Sequence, residues 1–69
     1  MSAIRIIVNG QARSMPPSST VADLVAELGL GGRPLAIEVN GELVTVADAS
    51  GVGLSHGDRV DLAWFVGGG

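Results

Sequence analysis

The sequence is poor in groups that could do chemistry. It holds one histidine, His56, in the run Ser55-His56-Gly57-Asp58, and no cysteine. A lone histidine beside Gly-Asp in a turn is a solvated loop residue before it is a general base. No serine is tied to it as a nucleophile except by closeness in sequence. The carboxylates Asp23, Glu27, Glu38, Glu42, Asp48, Asp58 and Asp61 are scattered. Asp23 and Glu27 share one helix face, which reads as solvated surface and not as a metal site. Gly29-Leu30-Gly31-Gly32 is like a phosphate loop in composition only. It follows a helix where a phosphate loop precedes one, and no lysine stands nearby.

The C-terminal run is different. Gly67-Gly68-Gly69 follows directly on an apolar segment. Glycine has no side chain, so such an end can thread a narrow channel and carry a free carboxylate into a partner's active site. Three extended residues reach only about 10 Å. A partner using this carboxylate must therefore grip the folded body as well. Phe65, Ala63 and Leu43 are the docking candidates, because they lie on or near the strand that leads into the glycines. The single Trp and single Phe, Trp64 and Phe65, sit side by side at that exit. Trp64 reads as core and Phe65 as interface.

What else the chain can be is bounded by its size and charge. Sixty-nine residues make one domain, and hydrophobic types at 46% exclude a disordered tail. The absence of cysteine removes disulfides, a thiol nucleophile and a cysteine metal site, and fits a cytoplasmic chain. The net charge is −3, and the four basic residues, Arg5, Arg13, Arg33 and Arg59, are spread singly. Nucleic acid is excluded by the lack of a basic stripe. No apolar run is long enough to span a membrane. No lysine is present, so neither a P-loop lysine nor a Schiff base is available.

These end residues need a scaffold, and the sequence specifies one. Residues 3–8 alternate little and are rich in Ile and Val, a strand; Asn9-Gly10 is a type I′ hairpin signal; residues 11–15 return. Pro16-Pro17-Ser18-Ser19 breaks the sheet. Thr20 with Asp23 has capping-box spacing, and Val21, Leu24, Val25 and Leu28 form one apolar stripe. Gly29 stands at the helix C′ position, with Leu30 placed to fold back over it. Residues 35–39 and 42–46 form a second hairpin about Asn40-Gly41. Residues 47–57 read as loop with a 3₁₀ turn, and residues 60–66 as the last strand. The first and last strands are the most apolar and belong side by side at the sheet centre. The expected core is Ile4, Ile6, Val8, Val21, Leu24, Val25, Leu28, Ile37, Val39, Leu54, Val60 and Leu62. The class is α+β, in the order β-β-α-β-β-β, with one amphipathic helix on one face of the sheet.

Taken together, these features resemble the ubiquitin-like β-grasp sulfur carriers of the ThiS/MoaD family. The resemblance runs over essentially the whole chain. It rests on Asn9-Gly10, on Thr20-Val21, on the run from Leu35 to Val44, on Leu54-Ser55-His56-Gly57-Asp58-Arg59-Val60, and on Gly68-Gly69. It implies a mixed sheet, a β-grasp domain over residues 1–66 and a flexible glycine tail over 67–69. It implies that the chain is not itself an enzyme and binds no cofactor. An E1-like adenylating enzyme would use ATP and Mg²⁺ to activate the Gly69 carboxylate. A sulfur donor would convert it to a thiocarboxylate, and a thiazole synthase-like enzyme would take the sulfur for thiamine thiazole or a related sulfur-containing metabolite. Gly69 would carry the sulfur, Gly67 and Gly68 would thread it, and Phe65, Ala63 and Leu43 would dock the enzymes. The free protein is expected to be monomeric. Two other readings stay open from the residues: a ubiquitin-like modifier conjugated through Gly69, and a plain interaction module.

Overall fold

The computed structural model describes residues 2–64. Phe65, the predicted domain boundary at 66 and the glycines at 67–69 lie outside the described residues. The elements are β1 (Ile4–Val8), β2 (Gln11–Met15), α1 (Val21–Glu27), β3 (Leu35–Val39), β4 (Glu42–Val44), a 3₁₀ helix (Val46–Gly51) and β5 (Arg59–Trp64).

Both hairpins form as their Asn-Gly pairs require. Asn9 and Gly10 have φ of 49° and 83°, and Asn40 and Gly41 of 52° and 85°. Positive φ at both central residues is the type I′ condition, which matches the twist of the flanking strands. β1 therefore pairs antiparallel with β2, and β3 with β4. The sheet order is β2-β1-β5-β3-β4. β5 is the middle strand, parallel to β1 and antiparallel to β3. With its single covering helix, this mixed five-stranded sheet is the expected α+β, β-grasp architecture.

The helix is bounded by its own side chains. Thr20 Oγ1 accepts from the Asp23 amide at 3.2 Å, and Asp23 Oδ2 accepts from the Thr20 amide at 2.8 Å, closing the capping box. At the other end Gly29 has φ of 71°. The Leu30 amide donates to the Val25 carbonyl and the Gly29 amide to that of Ala26, both at 3.0 Å. These are the two hydrogen bonds of a Schellman motif. The start of the helix is tied down further by a short antiparallel contact. The Val21 amide donates to the Val52 carbonyl at 2.9 Å, and the Leu54 amide to the Ser19 carbonyl at 2.8 Å.

The helix stripe and the inner sheet face share one core: Ile6, Val8, Met15, Val21, Leu24, Val25, Leu30, Ile37, Ala49, Leu54, Val60 and Leu62. Three expected members, Ile4, Leu28 and Val39, are only partly buried at its margin. Met15, Leu30 and Ala49 take their places. Leu30 folds under the Schellman turn, and Ala49 is carried inward by the 3₁₀ helix. That helix also corrects β4, which ends at Val44 and not at 46. Thr45 Oγ1 accepts from the Asp48 amide at 3.2 Å, so the threonine caps a helix and does not extend a strand.

Leu24 is fully buried at the centre of the helix stripe. Leu24→Ala is expected to lower stability by about 2–5 kcal/mol, a large share for a domain of this size. Thermal and denaturant unfolding measure it, and an unchanged midpoint would contradict this packing.

Candidate functional site at the end of the central strand

Two of the predicted docking residues, Ala63 and Leu43, fall on the sheet face away from the helix. Paired residues share a face, so the registers define it. Ala63 pairs with Ala36, Asp61 with Glu38, and Glu38 in turn with Leu43. Leu43 and Ala63 therefore share this face but sit on opposite sides of β3, offset by two residues. Leu43 is 79% exposed, and Ala63 is also exposed. Ile7, 42% exposed, lies on the same face between Ala12 and Arg59. The outward place of Ile7 agrees with its absence from the expected core, which took Ile4, Ile6 and Val8 from the same strand. Arg59 and Asp61 form a surface ion pair at 3.6 Å. The face is thus flat and mixed: apolar Ile7, Ala12, Ala36, Leu43 and Ala63 around a small charged centre. Phe65, Gly67, Gly68 and Gly69 lie outside the described residues.

Trp64 departs from its expected place in the core. Its parity with Val60 and Leu62 turns it to the helix side, where it pairs with Leu35. It is nevertheless 40% exposed. The reason is length: seven helical residues cover about 10 Å, while the six residues of β5 run about 20 Å. The strand overshoots the helix, and Trp64 stands at the overhang. There it borders a cleft of about 240 Å³ lined also by Val8, Asn9, Gln11, Ala12, Arg13, Leu28 and Leu30.

Two asparagines hold β5 in line with its exit. The β1–β5 ladder stops at Val8 and Val60. Past that point the Asn9 amide donates to the Val60 carbonyl at 3.0 Å, and Asn9 Oδ1 accepts from the Leu62 amide at 2.7 Å. The side chain thus carries the ladder on after the backbone has turned away. At the other end of β5, Asn40 Oδ1 accepts from the Arg59 amide at 3.0 Å, and Asn40 Nδ2 donates to Asp58 Oδ1 at 3.1 Å. Each hairpin asparagine therefore makes its own turn and braces the strand that leads to the C-terminus. The sequence marks them through the choice of Asn in both Asn-Gly pairs, but the second role needs the tertiary fold.

His56 has a structural partner. Its Nδ1 accepts from the Arg5 amide at 3.0 Å, while the Gly57 amide donates to the Arg5 carbonyl at 2.7 Å. Asp58 Oδ2 closes the same turn on the Ser55 amide at 2.8 Å, and the Asp58 carbonyl receives the Ile7 amide at 2.9 Å. The Ser55–Asp58 turn is a clip that fastens β1 beside β5. Among the described residues no group of three His, Asp or Glu side chains is placed to hold a metal ion. No described helix is long and apolar enough to cross a membrane.

Asn9→Gly keeps the positive φ while removing the acceptor on Leu62. It is expected to cost about 1–3 kcal/mol, with faster hydrogen exchange at the Leu62 amide. Exchange at Leu62 unchanged from the parent would show that the Asn9 brace is not needed.

The chain has clear relatives. Residues 6–69 match the sequence pattern of the ThiS family. A thiazole synthase of Paramagnetospirillum magneticum is 35% identical over 66 residues, which take in 96% of this chain and 20% of that protein. The chain thus spans about a fifth of that relative's length. The crystal structure of a thiamine biosynthesis protein (ThiS) from Geobacter metallireducens superposes with a TM-score of 0.78 at 26% identity, covering 96% of this chain and 100% of that one. With a matching fold along the same span, the chain belongs to the ThiS family of ubiquitin-like sulfur carriers.

Proposed function

We propose that this protein carries sulfur on the carboxylate of Gly69 for a thiazole-forming step of thiamine biosynthesis. The observation that carries the reading is the family match, which extends through Gly69. The thiazole synthase relative supports the pathway. In that protein a stretch like this chain is part of the same polypeptide as the rest of a thiazole synthase. Covalent linkage of that kind is what a carrier and its sulfur-using enzyme would gain from, because it raises their effective concentration.

The chemistry follows from the electrophile. A carboxylate resists nucleophiles, so an E1-like partner uses ATP with Mg²⁺. A Gly69 oxygen attacks the α-phosphate and pyrophosphate leaves. A donor of sulfide-level sulfur then attacks the acyl carbon, and the C–O bond to AMP breaks. The product is a thiocarboxylate, ionised at neutral pH and nucleophilic toward the synthase-bound substrate. With no cysteine in the sequence, no side-chain thiol competes for the sulfur. The protein's own part is positioning. β5 presents the end, Gly67 and Gly68 pass through the partner's channel, and Phe65 together with the open sheet face of Ala63 and Leu43 holds the partner. The protein works as a co-substrate in the cytoplasm and supplies no catalytic group.

Intact-mass measurement after incubation with the cognate adenylating enzyme, ATP, Mg²⁺ and sulfide tests this. The expected gain is the mass difference between sulfur and oxygen on Gly69. Truncation of Gly69 shortens the reach by about 3.5 Å and is expected to abolish the gain with the fold intact. Sulfur on the truncated chain, or none on the full chain with an active partner, would overturn the reading. Ala63→Asp and Leu43→Asp place charge on the open face and are expected to slow conversion at least about tenfold at limiting protein, through weaker docking. Normal rates for both would remove this face from the interface.

A further inference from the structure

We infer that the cleft beside Trp64 is a second docking point, on the helix side of the sheet, which receives an apolar side chain flanked by a carboxylate from the partner that handles the chain's end. That the partner is the adenylating enzyme rests on the reading above; the cleft itself does not. Its walls are apolar where Val8, Leu28, Leu30 and Trp64 meet, and its volume of about 240 Å³ accepts one large side chain. It exists because β5 outruns the helix, so its place at the strand exit is built into the fold.

Arg13 supplies the polar half. It lines the cleft, and its Nε is closed off from solvent with no hydrogen-bond partner, alone in this among the described residues' buried side-chain polar atoms. Its ion pair with Glu27 spans 3.7 Å, too long for a hydrogen bond. The Arg13 side chain is nonetheless 35% exposed, so its reachable part, and not the buried Nε, meets an incoming group, with one loose counter-charge beside it. An incoming carboxylate would find a complementary charge there, and a bidentate partner suits the guanidinium geometry. Trp64, half exposed in the lining, adds apolar area for that group, as interface tryptophans do. Of the cleft's lining only Ala12 also belongs to the open sheet face, so a partner using both would clasp the end of β5 from two sides.

The first experiment uses ¹⁵N-labelled full-length protein and two small probes, N-acetyl-leucine and its uncharged amide. The acid is expected to move the Arg13 Nε–H and Trp64 indole N–H signals and to bind about fivefold more tightly than the amide. In Arg13→Met, with an unchanged melting curve, the two probes should bind alike. Equal binding in the parent, or no movement of either signal, would overturn the inference. So would an Arg13 signal that shifts with protein concentration alone, or on removal of residues 65–69 alone. Those results would give the cleft to a second copy or to the chain's own end. The second experiment measures adenylation kinetics. Arg13→Met is expected to raise KM for the carrier about tenfold at constant kcat, the signature of lost uniform binding. An unchanged KM overturns the partner assignment. If the parent chain is not converted at all, the sulfur-carrier reading fails while the probe titration still decides the cleft.

Discussion

Everything in this small domain depends on keeping β5 in the middle of the sheet. A central strand gains ladder hydrogen bonds on both edges and is covered on its inner face by the helix. That is the strongest anchorage 69 residues can provide. Placing the last strand there fixes the direction in which the C-terminus leaves. The parallel pairing to β1 is short, only Ile7 with Arg59 and Val8 with Val60. On that side the remaining hold comes from the Asn9 side chain and the Ser55–Asp58 clip, while on the other side the five-pair ladder with β3 and the Asn40 side chain hold the strand. A parallel neighbour cannot be joined by a tight turn, so it must be fastened by contacts distant in sequence. These side chains make such contacts.

The same arrangement divides the surface into two unlike regions around the exit. On the open sheet face, alanines and Leu43 surround an Arg59–Asp61 pair. Alanine rows keep that face flat, which suits a broad partner surface more than a small molecule. On the helix side, the mismatch in length between helix and strand leaves Trp64 half covered beside a cleft. Exposing the chain's only tryptophan gives up burial that a thin core would otherwise use. The proposed carrier role would be served by unlike grips on either side of the end of β5.

The chain on its own was legible wherever a residue acts on its immediate neighbours. Asn-Gly sets a type I′ turn through its own φ. Thr20 and Asp23 cap a helix three residues away, and Gly29 ends it through its own positive φ. The 3.6-residue stripe of α1 and the alternation in β3 assign the inner face without reference to the rest of the molecule. Local physics of this kind gave the element order and the central place of β1 and β5. The glycine end, with no cysteine or lysine in the sequence to compete, is where the proposed chemistry would take place.

Tertiary structure decided what depends on lengths and neighbours. Thr45 reads as a strand residue by propensity and becomes a helix cap, because Asp48 follows it and Ala49 can reach the core. Trp64 has the parity of a core residue and lacks a helix above it. His56 reads as a loop residue and serves as the acceptor for an amide 51 positions earlier. In each case the deciding energy lies in a contact between segments far apart in sequence, and such a contact leaves no periodic or local trace. What the residues of this protein determined alone is its turns and its caps; what the fold alone decided is which surfaces stand beside the end of β5, because that follows from how far each element reaches once they are packed.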